Sequence, residues 1–203
     1  MPAEDAYVPS MTRLMTADEL LQPHTPEHAD LVRGVLVVRE PPGFRHADIT
    51  ARLTTMLSNY VAAHDCGLVV AGDAGFKLAS DPDTVRGADI AFIRRERLPH
   101  PIPVGFASFA PDLAVEIVSP GDRPGETLAK VGDWLSAGTR LVWVIDPERR
   151  LARVYREDGS ESVVGEGGAL EGEDVLTGFT IDLARSLPFV SSTRTAQSPR
   201  GRS

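Results

Sequence analysis

Apolar residues are spaced in two ways along this chain. In some stretches they run together or alternate, as in strands; in others they recur every three or four positions, as on one face of a helix. Pro111-Asp112-Leu113-Ala114-Val115-Glu116-Ile117-Val118-Ser119-Pro120 is apolar, β-favouring and bounded by proline at both ends. That predicts a buried strand with sharp limits. Alternation puts Leu113, Val115 and Ile117 on one side and Ala114, Glu116 and Val118 on the other. Val85 to Ile93 predicts a second strand, with Asp89, Ala91 and Ile93 on one side and Ile90 and Phe92 on the other. Arg140 to Asp146 predicts a third, joined through Pro147-Glu148-Arg149-Arg150 to Leu151–Arg156 as a hairpin, with a short edge strand at Ser162–Val164. Leu31 to Val38 reads as a strand with a turn or bulge at Gly34. Gly67–Ala71 and Gly75–Leu78 suggest a strand or hairpin.

Helical spacing appears three times. Thr16-Ala17-Asp18-Glu19 is a capping box opening a short helix that ends before Pro23. Between about Arg45 and His64, residues Ile49, Leu53, Met56, Leu57, Tyr60 and Val61 form one apolar stripe. From about Glu126 to Ala137, closed by Gly138, Leu128, Val131 and Leu135 are expected to face the core, with Lys130 and Trp134 beside them. Phe179 to Leu187 suggests a last short strand and helix. Residues 1–15 read as an N-terminal arm and residues 191–203, rich in Ser, Thr, Arg and Pro, as a disordered tail. Residues 16–190 make one α/β domain.

Composition narrows the class. The 203 residues are 42% hydrophobic and 25% charged, ordinary for a globular domain. No apolar run approaches the roughly 20 residues of a membrane span, and Met1–Ser10 lacks the apolar core of a secretory signal. Cys66 is the sole cysteine, which excludes an internal disulfide and a thiolate metal cage; a cytoplasmic setting is the default expectation. The net charge of −8 argues against non-specific coating of nucleic acid, yet it suits a site that gathers divalent cations. His24 and His28 have helical metal-pair spacing, but Pro26 sits between them in a loop-like setting. The glycine-rich turn from Gly165 to Gly172 has no lysine and is no phosphate loop.

Two acids stand inside apolar strands. A carboxylate among such neighbours is costly unless it finds a partner, a proton or a metal. Glu116 could pair with a nearby Arg or Lys, and Asp89 could cap a turn or pair with Arg86. Together, acids from neighbouring strands can share one Mg²⁺ or Mn²⁺, and a lysine close by can assist an attacking water. Lys130 lies roughly 6–9 Å along its helix axis and could reach back toward Glu116, or could be an ordinary solvated lysine. His46, in the first turn of its helix, reads as a surface residue. Trp143 reads as core and Asp112 as a turn acid.

As a set, these motifs resemble the Uma-two family of the PD-(D/E)XK nuclease superfamily. The resemblance rests on Asp30-Leu31-Val32-Arg33-Gly34, His46 with its helix, Arg86-Gly87-Ala88-Asp89-Ile90, the Pro111–Pro120 stretch, Lys130, and Leu141-Val142-Trp143-Val144-Ile145-Asp146-Pro147, and it spans about residues 16–187. It implies a restriction-endonuclease-like fold, a central mixed β-sheet flanked by helices. It also implies an endonuclease hydrolysing phosphodiester bonds of nucleic acid, DNA foremost, with Mg²⁺ or Mn²⁺ held by Asp89, Glu116 and the Ile117 carbonyl. Lys130 would assist the water, and a homodimer would serve duplex cleavage; Arg94, Arg95 and Arg97 could touch the phosphate backbone, but a solvated loop is the favoured reading of them. Three positions depart from the family pattern: Asp30 stands where relatives tend to carry glutamate on the first strand, Val35 stands where a polar residue is common, and Val118 occupies the superfamily lysine position, which is why Lys130 is the candidate. The competing expectations are a decayed nuclease fold acting as a nucleic-acid or protein-binding module, and a metal-dependent hydrolase of a smaller phosphate substrate.

Overall fold

A computed structural model describes residues 13–26 and 28–187. The expected disordered tail and most of the N-terminal arm lie outside these residues. Arg13–Met15, assigned above to that arm, belong to the folded body: the Met15 N–H donates to the Gly34 carbonyl at 2.8 Å.

The chain runs through α1 (Ala17–Leu20), β1 (Ala29–Val32), β2 (Val35–Val38), α2 (Phe44–His64), β3 (Gly67–Ala79) and β4 (Thr84–Arg94). After one 3-10 turn at Arg95–Arg97 come β5 (Leu113–Ile117), α3 (Pro124–Ser136), β6 (Leu141–Asp146), β7 (Leu151–Arg156), β8 (Glu161–Gly165), β9 (Ala169–Glu171), β10 (Thr180–Asp182) and α4 (Leu183–Ser186). The Thr16–Glu19 capping box is formed, but it opens only a single turn. The Gly34 irregularity is a two-residue hairpin turn with Arg33 and Gly34 both at positive φ, the geometry that matches strand twist. Gly67–Leu78, expected as a strand or hairpin, is one long strand whose register shifts at a bulge over Gly72–Asp73 and again at Leu78.

Eight strands form one sheet in the order β2-β1-β4-β5-β6-β7-β8, with β3 also paired to β4. Only β5 and β6 run parallel, so the sheet is mixed. Helices cover both faces. Ile49, Leu53, Leu57 and Val61 of α2 pack on the face carrying Ile90, Phe92, Leu113, Val115, Trp143 and Ile145. Val131 and Trp134 of α3 pack on the face carrying Ala91, Ile93, Ala114, Val142 and Val144. Trp143 is fully buried, as its strand position implied.

One feature of the topology positions the site. β3 takes one edge of β4 along its whole length. The other edge is shared: β1 pairs at Val85, and β5 pairs from Ile90 to Phe92. Between Val85 and Ile90 the sheet forks. Asp89 stands in that fork.

The rotation of α3 differs from expectation. Leu128 is 58% exposed, while Lys130 and Trp134 are buried with Val131. The reason is the buried carboxylate beneath. Leaving a buried charge unpaired costs about 3–5 kcal/mol, more than the roughly 1.5–3 kcal/mol gained by covering a leucine. The helix therefore turns its donors inward.

Candidate active site

The β4–β5 ladder pairs Ile90 with Val115 and Ala91 with Ala114. One step further along the same register sets Asp89 opposite Glu116, on the face that α3 covers. Directly opposed residues of an antiparallel pair have Cβ atoms about 4.5–5.5 Å apart. The ladder gives way at this point: the Ile117 N–H donates to Asp89 Oδ2 at 2.6 Å, a side chain standing where a backbone carbonyl would serve.

Both oxygens of Glu116 are engaged by α3. Lys130 Nζ donates to Oε2 at 2.6 Å and Trp134 Nε1 donates to Oε1 at 2.8 Å. The spacing of Lys130 and Trp134, four residues, puts both on one helix face. Lys130 is 4% exposed, which removes the solvated-lysine alternative. Asp89 does not pair with Arg86. It meets His46 of α2, whose Nε2 lies 3.1 Å from Oδ2 but outside hydrogen-bond alignment. The His46 Nδ1 is also buried without a hydrogen-bond partner. His46 is thus no surface residue. Its position in the first turn of an amphipathic helix carried no sign of this, because the fork that lets α2 reach Asp89 is a property of the sheet.

Behind these groups lies a polar support. Arg86, 5% exposed, donates through Nη1 to Asp30 Oδ2 at 2.9 Å and through Nε and Nη2 to Asp133 Oδ2 at 2.8 and 2.5 Å. It ties β1 and β4 to α3, one turn from Lys130. Asp30 further accepts from the Gly87 N–H at 3.0 Å and from Arg39 Nη2 at 2.5 Å. Opposite the fork, the bulged Gly72 and Asp73 both have positive φ. A Cβ on Gly87 would stand 3.0 Å from the Asp73 carbonyl oxygen, a tight contact that glycine avoids where the bulge lies against β4.

Burial sets the protonation of the two acids. It raises Asp89 to about 6 against the pull of Lys130 and the Ile117 N–H. It raises Glu116 to about 7, again opposed first by Lys130, with the charge of Asp89 adding to the rise. Burial likewise lowers His46, so the imidazole tends to neutrality. Asp30 is the contrary case: burial resists its charge, but Lys130, Arg39 and the Gly87 N–H outweigh it and hold the carboxyl below the usual range.

Three other expectations change. Arg94, Arg95 and Arg97 stand at the far end of β4 and are consumed there. The Arg94 side chain donates to the Asp174 and Val175 carbonyls, Arg95 pairs with Asp65, and Arg97 pairs with Asp112 at 2.8 Å. Asp112 is a buried ion-pair partner, not a turn acid. His28 contacts Asp73 at 3.4 Å. Among the described residues no three His, Cys, Asp or Glu side chains converge as a metal-binding group.

The donor set nevertheless suits Mg²⁺ or Mn²⁺. Such ions are commonly held by one or two carboxylates with waters and substrate phosphate, and not by an all-protein cage. Two adjacent buried acids supply the carboxylate oxygens such an ion takes.

The family model described as "Uma2: Putative restriction endonuclease" matches residues 17–184. Among curated proteins no match is found. A solved structure described as a putative nuclease belonging to DUF820 from Anabaena variabilis superposes with a TM-score of 0.75 at 19% sequence identity, covering 85% of this chain and 97% of that one. At that identity the likeness shows a shared fold.

Proposed function

Since the chain belongs to the Uma2 family, we propose that it is a metal-dependent endonuclease that hydrolyses phosphodiester bonds, with DNA as the first substrate to test. Asp89, Glu116 and the Ile117 carbonyl would hold the Mg²⁺ or Mn²⁺. A bound divalent ion supplies Lewis acidity: it acidifies a coordinated water and offsets charge at the scissile phosphate. The chain's own residues do the rest. Asp89, oriented by the Ile117 N–H, and Glu116, oriented by Trp134, present their oxygens at the fork. Lys130 Nζ, held by Glu116, stands ready to steady the attacking water and the growing negative charge. His46 restrains Asp89 from the opposite face.

The single observation that carries this reading is the 2.6 Å pair of Glu116 and Lys130, both under a tenth exposed, with Asp89 in register beside them. A buried pair of this kind is weak as a stabilising device, and perturbed acids cluster at functional sites. The net charge of −8 favours a second reading, a binding module that has lost activity. A homodimer and a cytoplasmic setting complete the proposal.

Purified protein incubated with plasmid, single-stranded DNA and RNA, with and without Mn²⁺, separates these readings. Cleavage that needs Mn²⁺ and vanishes in Asp89→Ala and in Glu116→Ala is the expected result. Cleavage that persists in both variants would place the chemistry elsewhere, and binding without cleavage in the wild type would favour the binding module.

A further inference from the structure

The segment from Arg39 to His46 is fastened to the site at both ends. Arg39 Nη2 donates to Asp30 Oδ2 at 2.5 Å, and the His46 imidazole lies 3.1 Å from Asp89. Between them, Pro41 and Pro42 limit the backbone. Arg45 is also anchored: its guanidinium donates to Glu148 at 2.5 Å and to the Pro147 carbonyl at 2.9 Å. Within this held segment one residue touches almost nothing. Phe44, the first residue of α2, is 93% exposed. Its Cα stands about 5.4 Å from that of His46 by helix geometry.

The geometry points to this segment as the lip that grips the substrate strand: Arg39 takes a phosphate, and Phe44 stacks on an unpaired base, so the preferred substrate is single-stranded or locally unpaired nucleic acid. This inference rests on the nuclease reading for the identity of its ligand. Arg39 is the apt cation. Its side chain is 41% exposed, only one of its nitrogens is used in the hydrogen bond to Asp30, and the charge of Glu116 acts on it. Arg94, Arg95 and Arg97, which also have carboxylate or carbonyl partners, lie at the other end of β4, away from Asp89 and His46. Phe44 is apt because an exposed aromatic ring on the solvent side of the helix start that carries His46 can meet a base wherever the bases are not already stacked on each other. In an intact duplex both faces of each internal base are covered, and Phe44 has nothing to bind.

The test measures binding apart from cleavage. A labelled single strand of about 12 nucleotides and the matching blunt duplex are titrated by anisotropy in Ca²⁺. The proteins are the wild type, Phe44→Ala, Phe44→Leu, Phe44→Trp and Arg39→Gln; at 93% exposure, changes at Phe44 leave folding intact. Phe44→Ala and Phe44→Leu are expected to weaken single-strand binding about tenfold, Phe44→Trp to restore it with quenching of the new indole, and duplex binding to stay unchanged. Arg39→Gln is expected to lower the slope of log affinity against log salt by about 0.7. Equal single-strand binding by wild type, Phe44→Ala and Phe44→Leu overturns the lip while leaving the nuclease reading intact if the wild type cleaves. Phe44-dependent binding by a wild type that cleaves nothing upholds the lip and overturns the nuclease reading. A dimer that dissociates on Phe44→Ala with unchanged oligonucleotide binding overturns the lip and makes Phe44 a chain–chain contact. A wild type that binds no oligonucleotide overturns both.

Discussion

The electrostatics of the acid pair lead to a quantitative expectation for metal affinity as a function of pH. Asp89 and Glu116 hold protons to about 6 and about 7 because both are buried. A divalent ion binds the form in which both are bare. That form is about one molecule in a thousand at about pH 5, about half at about pH 7, and nearly all at about pH 9. Apparent affinity scales with the competent fraction. It should therefore rise several-hundred-fold from about pH 5 to about pH 7, then only about twofold further. Isothermal titration calorimetry of Mn²⁺ into the protein, repeated in buffers of different ionisation enthalpy, reads both affinity and protons released. Close to two protons should leave per ion at about pH 5 and almost none at about pH 9. The metal-free protein supplies the converse sign. Both acids have folded values above their ordinary 3.8 and 4.5, so the native state binds more protons than the unfolded chain between those limits. Their contribution to stability is then fully present below about pH 4 and is lost as pH rises through about 6 and about 7, and Mn²⁺ should restore it. Affinity that is flat between about pH 5 and about pH 8, with no proton release, would refute the claim that burial governs these carboxyls.

Other parts of the site make sharper, smaller claims. Trp134→Phe removes the donor to Glu116 Oε1 and leaves a small cavity at a fully buried position, and should cost at least about 1–3 kcal/mol in urea unfolding while pushing Glu116 still higher. Arg86→Met takes the cation from Asp133 and leaves Asp30 with only Arg39 and the Gly87 N–H, so a loss of up to about 3–5 kcal/mol is expected by the same assay, whereas Arg86→Met with Asp133→Leu should recover part of it. Arg94→Gln and Arg97→Gln should lower thermal stability but leave the salt dependence of oligonucleotide binding as in the wild type, because both guanidiniums are already committed. Lys130→Met should abolish turnover in a nuclease assay and raise Glu116 further, since the opposing charge is gone.

How far the sequence reaches can be judged residue by residue. Periodicity alone located α2, α3 and the strands that became β4, β5, β6 and β7, and it set Asp89 and Glu116 inside apolar strands. These are short-range properties: the alternation of a strand and the stripe of a helix depend on neighbours within a few positions. Even there, Gly67–Leu78 could not be assigned as one strand, because the bulge at Gly72–Asp73 is accommodated by pairing with β4, a long-range contact in which it packs closely on Gly87. The choice of partners lay beyond local pattern. Register sets Asp89 opposite Glu116, and the fork in β4's second edge admits His46 from the other face of the sheet. The rotation of α3 buries Lys130 and Trp134 at the expense of Leu128, since a buried carboxylate demands donors more strongly than a leucine demands cover. Arg94, Arg95 and Arg97 looked available for phosphate because their acceptors come from Asp65, Asp112, Asp174 and Val175, some of them eighty residues away. Local spacing thus decided what each residue could be part of, and only long-range register and helix rotation decided what it touches.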